Sequence, residues 1–269
     1  FGADVQLPKL KFATVRMNPK RSGMISFNAS KAEKMPGVEK IVDLGDGIAV
    51  VASNTWLAMQ AANAVDIIWL PSAYPKTHEA MFDLLEQAFD GEVNATPRDE
   101  GSVDQAHEGT VVEAEYRMPF LAHSTMEPMN ATALYSAEKL TLWSGSQAPL
   151  GTRDAAAGAV GLLPEQVDVI VPYLGGGFGR RGETDFSTLA ALIAKSMPGT
   201  PIKTTWSRKE DMRHDIYRPA AIARFKGVVE GGQAIMLDGQ ISSLSVMDFG
   251  GPDRENVSGS FHQPFGIPN

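Results

Sequence analysis

Cysteine is absent from all 269 residues. Without thiolates, this chain alone builds no disulfide, no cysteine-ligated iron–sulfur cluster and no thiolate zinc site. Basic side chains are fewer than acidic ones, 24 against 32, which leaves a formal charge of −8. That balance argues against nucleic acid as a partner, because phosphate neutralisation needs Lys and Arg. Long apolar runs are also missing. A membrane-crossing helix needs about 20 apolar residues, and the best stretch, Ala61–Leu70, is broken by Asn63 and Asp66. No internal repeat and no low-complexity segment is present. Apolar residues at 43% with charged residues at 21% describe a folded globular chain, not a disordered one. The length suits one large or two ordinary domains, at roughly 150 residues each. The chain starts at Phe1 rather than Met and ends on Phe265–Asn269 without a helix stop, so it reads as a piece of a longer polypeptide.

The pattern of elements predicts an α+β fold. Lys11–Arg16 reads as a strand, and Ile41–Leu44 and Ile48–Ala52 as strands around a turn at Gly45–Gly47. Ser53 or Asn54 caps a helix to Asn63, Val65–Leu70 reads as a buried strand, and Thr77–Phe89 as an amphipathic helix. The breaker-rich stretch Asp90–Gly109 is the expected boundary between a domain at 1–95 and another at 110–269. In the second part Val111–Tyr116, Leu140–Ser144, Val167–Val171 and Ile202–Trp206 are expected strands. Thr152 is expected to cap a helix Arg153–Val160, and Phe186–Met197 is a further helix. Ser207 and Glu210 fit a capping box, with Arg208–Arg213 a solvated helix start. Arg224–Phe249 reads as strands with turns at Gly231–Gly232 and Asp238–Gly239.

The strongest local signal is Gly175–Gly176–Gly177–Phe178–Gly179–Arg180–Arg181. Four glycines in five residues let backbone approach a ligand closely and adopt positive φ. The run follows a strand and precedes a helix, where free N–H groups attract anions, and Arg180 and Arg181 add positive charge. A tight structural turn is the plainer alternative. Gly177, Gly179 and Gly182 also satisfy the G-x-G-x-x-G spacing of dinucleotide-binding folds, which would suit NADP. Against that, the next strand ends at Arg208 rather than at an acidic ribose-binding residue.

Three further segments accompany the loop: His123-Ser-Thr-Met-Glu127-Pro-Met-Asn-Ala131, Trp143-Ser-Gly-Ser-Gln147-Ala-Pro149, and Trp206-Ser-Arg208-Lys-Glu210-Asp-Met212 followed by Arg218–Pro219. In this order and spacing they resemble the molybdenum-binding subunit of the xanthine dehydrogenase/aldehyde oxidase family. GGGFGRR in place of GGGFGGK-E resembles the isoquinoline 1-oxidoreductase β-subunit branch.

The resemblance implies a small α/β hammerhead-type domain followed by part of a mixed α/β molybdopterin-binding domain. It implies molybdenum bound through molybdopterin, or its cytosine dinucleotide, with no protein metal ligand. The activity implied is oxidation of aldehydes or N-heterocyclic aromatics with water-derived oxygen. Gly176, Gly177, Phe178, Gly179 and Arg180 map to the cofactor-binding loop, with Phe178–Gly179 against its metal end. Gln147 maps to the catalytic amide that donates a hydrogen bond there. Implied partners are a small subunit carrying iron–sulfur clusters and the remaining C-terminal part of the same subunit, which holds the general base. The branch favours the periplasm over the cytoplasm. One departure is Gly182 at the position where relatives place a substrate-contacting glutamate, with Glu183 one place later. His123 reads as a loop or core histidine, Glu127 as a loop anchor, and Trp143 and Trp206 as packing residues. A non-catalytic module binding an anion or a partner is the alternative of a different class.

Overall fold

The computed structural model describes residues 1–105, 108–245, 256–261 and 264–269. In chain order the strands are β1 (Lys11–Met17), β2 (Met24–Asn28), β3 (Val38–Asp43), β4 (Gly47–Ala52), β5 (Asp66–Trp69), β6 (Thr110–Met118), β7 (Asn130–Tyr135), β8 (Leu140–Ser144), β9 (Val167–Ile170), β10 (Ile202–Thr205), β11 (Ala221–Glu230) and β12 (Gln233–Ser243). The longer helices are α1 (Thr55–Ala64), α2 (His78–Gln87), α3 (Pro149–Val160) and α4 (Asp185–Lys195), followed by the short α5 (Arg208–Arg213).

Two compact units form, each assembled from two stretches of chain. One comprises Phe1–Ala73 and Ala122–Ile216, the other Tyr74–Leu121 and Tyr217–Asn269. They do not follow the sequential division at 90–109. That stretch looks like a linker because of its glycines and prolines, yet it lies wholly inside the second unit.

The first unit is built on a seven-stranded mixed sheet, ordered β3-β4-β1-β10-β7-β8-β9. β4 lies inside the sheet, next to its edge strand β3, and all six of its residues are buried. Its alternation sends Ile48 and Val50 into one core with Ala61, Ala62 and Val65 of the α1 side. Ala49 and Val51 enter another, with Val15, Leu142, Phe186 and Ile193. A strand apolar on both faces needs helices on both, and α1 on one side and α3 and α4 on the other supply them. Asn54 caps α1 by accepting from Leu57 N. β5 corrects the expected buried strand: it pairs only with β2 and is half-exposed.

The second unit is a three-stranded antiparallel sheet, β12-β11-β6. α2, capped by Thr77 accepting from Ala80 N, contributes Phe82 and Leu85 to a core with Ala220 and Ile222. The expected turn at Asp238–Gly239 is absent, because β12 runs straight through. Gly239 pairs with Phe225 across the ladder, and a Cβ there would lie 2.7 Å from that ring. Residues 246–249 of the expected strand lie outside the described residues.

Candidate cofactor-binding site

The seven-stranded sheet gathers the four sequence segments at one edge. β8 and β9 run parallel, Trp143 opposite Ile170, so Gln147 and the glycine loop both follow carboxyl ends of neighbouring strands. β7 is antiparallel to β8 and β10, which brings the 123–129 segment and Trp206–Arg208 to the same edge. Ligands in α/β sheets bind outside the carboxyl ends of parallel strands.

Backbone conformation sets the loop apart. Gly176 (φ 97°), Phe178 (φ 55°) and Gly179 (φ 103°) are all left-handed. For a phenylalanine this is strained, and strain of this kind gathers at functional sites. Phe178 is also 75% exposed. The loop's carbonyls are engaged from within: Gly175 O accepts from Glu127 N, Gly177 O from Arg180 N and Gly176 O from Arg181 Nε. The N–H groups of Gly176, Gly177 and Phe178 have no acceptor among the described residues. Successive free N–H groups of this kind form an anion-attracting concavity.

Gln147 fastens the far side. Its Oε1 accepts from Gly179 N at 3.2 Å and Arg181 N at 3.3 Å. Because N–H groups only donate, the amide oxygen must face the loop, which leaves Nε2 as a donor on the exposed side. A Cβ on Gly177 would lie 2.6 Å from that Oε1. Glycine is therefore required by close approach here, beyond its torsional freedom.

The arginines correct the expected basic surface. Arg180 and Arg181 are 1% and 0% exposed. Arg180 makes a bidentate pair with Asp185, 2.8 Å on each arm, and its Nε lies 2.9 Å from Asp215 Oδ1, without hydrogen-bond alignment. Burial opposes its charge, but Asp185, Asp215 and Asp211 outweigh that and raise its pKa. Arg181 pairs with Glu127 at 3.2 Å, with burial lowering its pKa. A guanidinium nevertheless stays charged at any working pH. Burial pushes Glu127 up, yet hydrogen bonds from Ala3 N, Gly175 N and Asn130, with the charge of Arg181, bring it below the usual range. Arg180 therefore braces the loop from inside instead of presenting its side chain to a ligand.

Asp185, the first residue of α4, pairs with Arg180. Thr152 lies inside α3, its hydroxyl bonded to Ser146, because Pro149 starts that helix earlier. The Arg208–Arg213 turn is not simply solvated. Glu210 and Asp211 are buried, and Arg208 reaches Asp211 and the carbonyls of Thr125 and Met126. Ser207 caps Glu210 N as expected, whereas Glu210 reaches Met17 N in place of closing the box. Sequence reasoning missed Asp215, which lies 35 positions from Arg180 with no local signal.

Residues 87–248, more than half of the chain, match the molybdopterin cofactor-binding domain family. The chain belongs to that family. Isoquinoline 1-oxidoreductase subunit beta of Brevundimonas diminuta is 26% identical over 252 residues, covering 88% of this chain and 32% of that protein. A protein of Gluconacetobacter polyoxogenes named membrane-bound aldehyde dehydrogenase [pyrroloquinoline-quinone] is 26% identical over 87% of this chain and 32% of its own length. Among solved structures, quinoline 2-oxidoreductase from Pseudomonas putida 86 superposes with a TM-score of 0.70 at 19% identity, over 90% of this chain and 36% of that one. The chain thus spans about a third of the length of the relatives it matches.

Within the molybdopterin cofactor-binding family the loop chemistry suits the group. Unpaired backbone N–H groups and an outward amide donate to oxygen-rich, negatively polarised ligands without adding charge. Gly177 keeps Cβ atoms out of the approach. The dinucleotide alternative loses support from the topology. β9 and β10 are separated in the sheet by β8 and β7, and α4 starts only at Asp185, beyond the three glycines.

Proposed function

We propose that this chain is the cofactor-contacting piece of a molybdenum hydroxylase subunit that oxidises aldehydes or N-heterocyclic aromatics with oxygen from water. The observation that carries the reading is the strained Gly176–Gly179 backbone, with three free N–H groups and the outward Gln147 amide beside it. Bound molybdopterin, as such or as its cytosine dinucleotide, supplies the redox chemistry. The residues of this chain place and orient it. Gly176, Gly177 and Phe178 would offer it backbone donors, Gln147 the N–H donors of its Nε2, and the exposed Phe178 ring an apolar surface. Arg180 and Arg181 keep the backbone in its left-handed shape from below.

In this reading residues 1–95 are the hammerhead-type segment, and 110–269 the first part of the cofactor-binding domain. The remaining C-terminal part of the subunit completes the substrate site and supplies the general base. A small subunit carrying iron–sulfur clusters takes the electrons, and the assembly works in the periplasm.

The test is metal and cofactor analysis of the full-length subunit, expressed in a host that makes the cofactor. About one molybdenum per chain, with pterin released on denaturation, supports the reading. No molybdenum favours a non-catalytic anion- or partner-binding module, and a quinone chromophore without molybdenum favours a quinone enzyme.

A further inference from the structure

His123, like Gln147, stands beside Gly179. Its Nδ1 lies 3.0 Å from Asp215 Oδ1 and 3.2 Å from Oδ2, and its backbone N–H donates to Oδ2 at 2.6 Å. A carboxylate only accepts, so Nδ1 carries a proton and Nε2 is the ring's free nitrogen. One carboxylate thus fixes the ring and the chain that bears it. Asp215 is itself buried, and its charge is met by Arg180, which in turn holds Asp185. This line of charged groups runs from the base of the loop to a single imidazole.

The imidazole points at the loop. A Cβ placed on Gly179 would lie 3.6 Å from His123 Nε2. That nitrogen has no partner among the described residues, although the side chain is only 19% exposed. Burying such a chain is costly unless its charges are compensated, and here Asp215 and Asp185 both lie against the Arg180 guanidinium.

We propose that His123 is a cofactor-contacting residue whose Nε2 meets the metal end of the bound group beside Gly179, with Asp215 as its positioning residue. His123 and Gln147 are then two polar side chains set beside one glycine. This rests on the loop being the cofactor surface, as proposed above.

The experiment is diethyl pyrocarbonate labelling of the full-length subunit, read by peptide mass spectrometry. Molybdenum-loaded protein is compared with cofactor-free protein from a host unable to make the group. His78, on α2, reports general reactivity. The expected result is His123 labelling clearly lower in the loaded form, with His78 unchanged. Equal His123 labelling in the two forms, high or low, overturns the proposal. A full-length protein that takes up no molybdenum under any condition overturns the loop reading instead, so the two failures are distinguishable. In a second measurement, His123→Phe loses about tenfold in molybdenum retained after gel filtration, while His123→Gln, which keeps a polar group there, retains most of it. Wild-type retention in His123→Phe also overturns the proposal.

Discussion

Glu127 and Arg181 form a buried ion pair at 3.2 Å, and between them they touch three of the loop's backbone groups. Glu127 Oε2 accepts from Gly175 N, Glu127 N donates to Gly175 O, and Arg181 Nε donates to Gly176 O. The carboxylate also accepts from Ala3 N and Asn130. The prediction is that Glu127→Gln costs roughly 3–5 kcal/mol, because it strands a guanidinium that is 0% exposed. Denaturant unfolding of the full-length subunit measures it. A loss below about 1 kcal/mol would show that the carboxylate's charge is not what holds Arg181.

Gln147 has two separable tasks, and two substitutions divide them. Its oxygen holds Gly179 N and Arg181 N, while its Nε2 faces outward. Gln147→Glu keeps an acceptor for both N–H groups but replaces the donor with a negative charge, whereas Gln147→Ala removes both acceptor and donor. With the cofactor in place, Gln147→Glu is expected to retain molybdenum and lose roughly 10²-fold in turnover, as a lost donor to developing charge does elsewhere. Gln147→Ala is expected to lose metal as well. Undiminished turnover by the glutamate variant would remove the amide from the chemistry.

Several features were legible in the sequence because their cause is local. The Asn54 and Ser207 caps lie within three residues of the N–H groups they serve, and β1, β4, β8, β9 and β10 announce themselves by β-branched or alternating residues. The four site segments were legible through their spacing. What was not legible depends on partners far along the chain. Arg180 and Arg181 look like surface charge until Glu127 and Asp215 arrive from elsewhere to bury them. β7, Asn130–Tyr135, is built mostly of small residues and escaped notice, because its strand character comes from lying between β10 and β8. Gly239 suggested a turn, whereas its lack of a side chain makes room for Phe225 on the neighbouring strand.

Gly179 is held by its torsion more than by crowding. At φ 103° an L side chain is strained, yet among the described residues the one atom within 4 Å of its absent Cβ is His123 Nε2 at an ordinary 3.6 Å. Gly179→Val should therefore cost only about 1–3 kcal/mol of stability. It should empty the site of molybdenum all the same, because relaxing the torsion turns the Phe178–Gly179 backbone away from its ligand. Metal analysis beside circular dichroism checks this. Wild-type metal content and activity in the folded variant would refute the assignment of this backbone as the cofactor surface.

Glu210 makes stability depend on pH in a direction opposite to that of most carboxylates. It is 9% exposed, on a cleft of about 150 Å³ that Arg16, Lys209 and Arg213 also line. Burial pushes its pKa up to about 6, against the pull of the Met17 N–H and those three cations. A carboxyl whose folded pKa exceeds its unfolded value of 4.5 binds its proton more tightly when folded. Its contribution to stability is therefore fully present below pH 4.5 and is lost as pH rises through about 6. Above that, the ionised form costs roughly 2 kcal/mol. Glu210→Gln preserves an acceptor for Met17 N without the charge. The variant should be more stable than wild type at pH 8 by about 1–2 kcal/mol, with the gap closing towards pH 4.5. Melting temperatures of both proteins across that range decide it. A gap that stays constant with pH, or that widens as pH falls, would show that Glu210 is not the group being titrated.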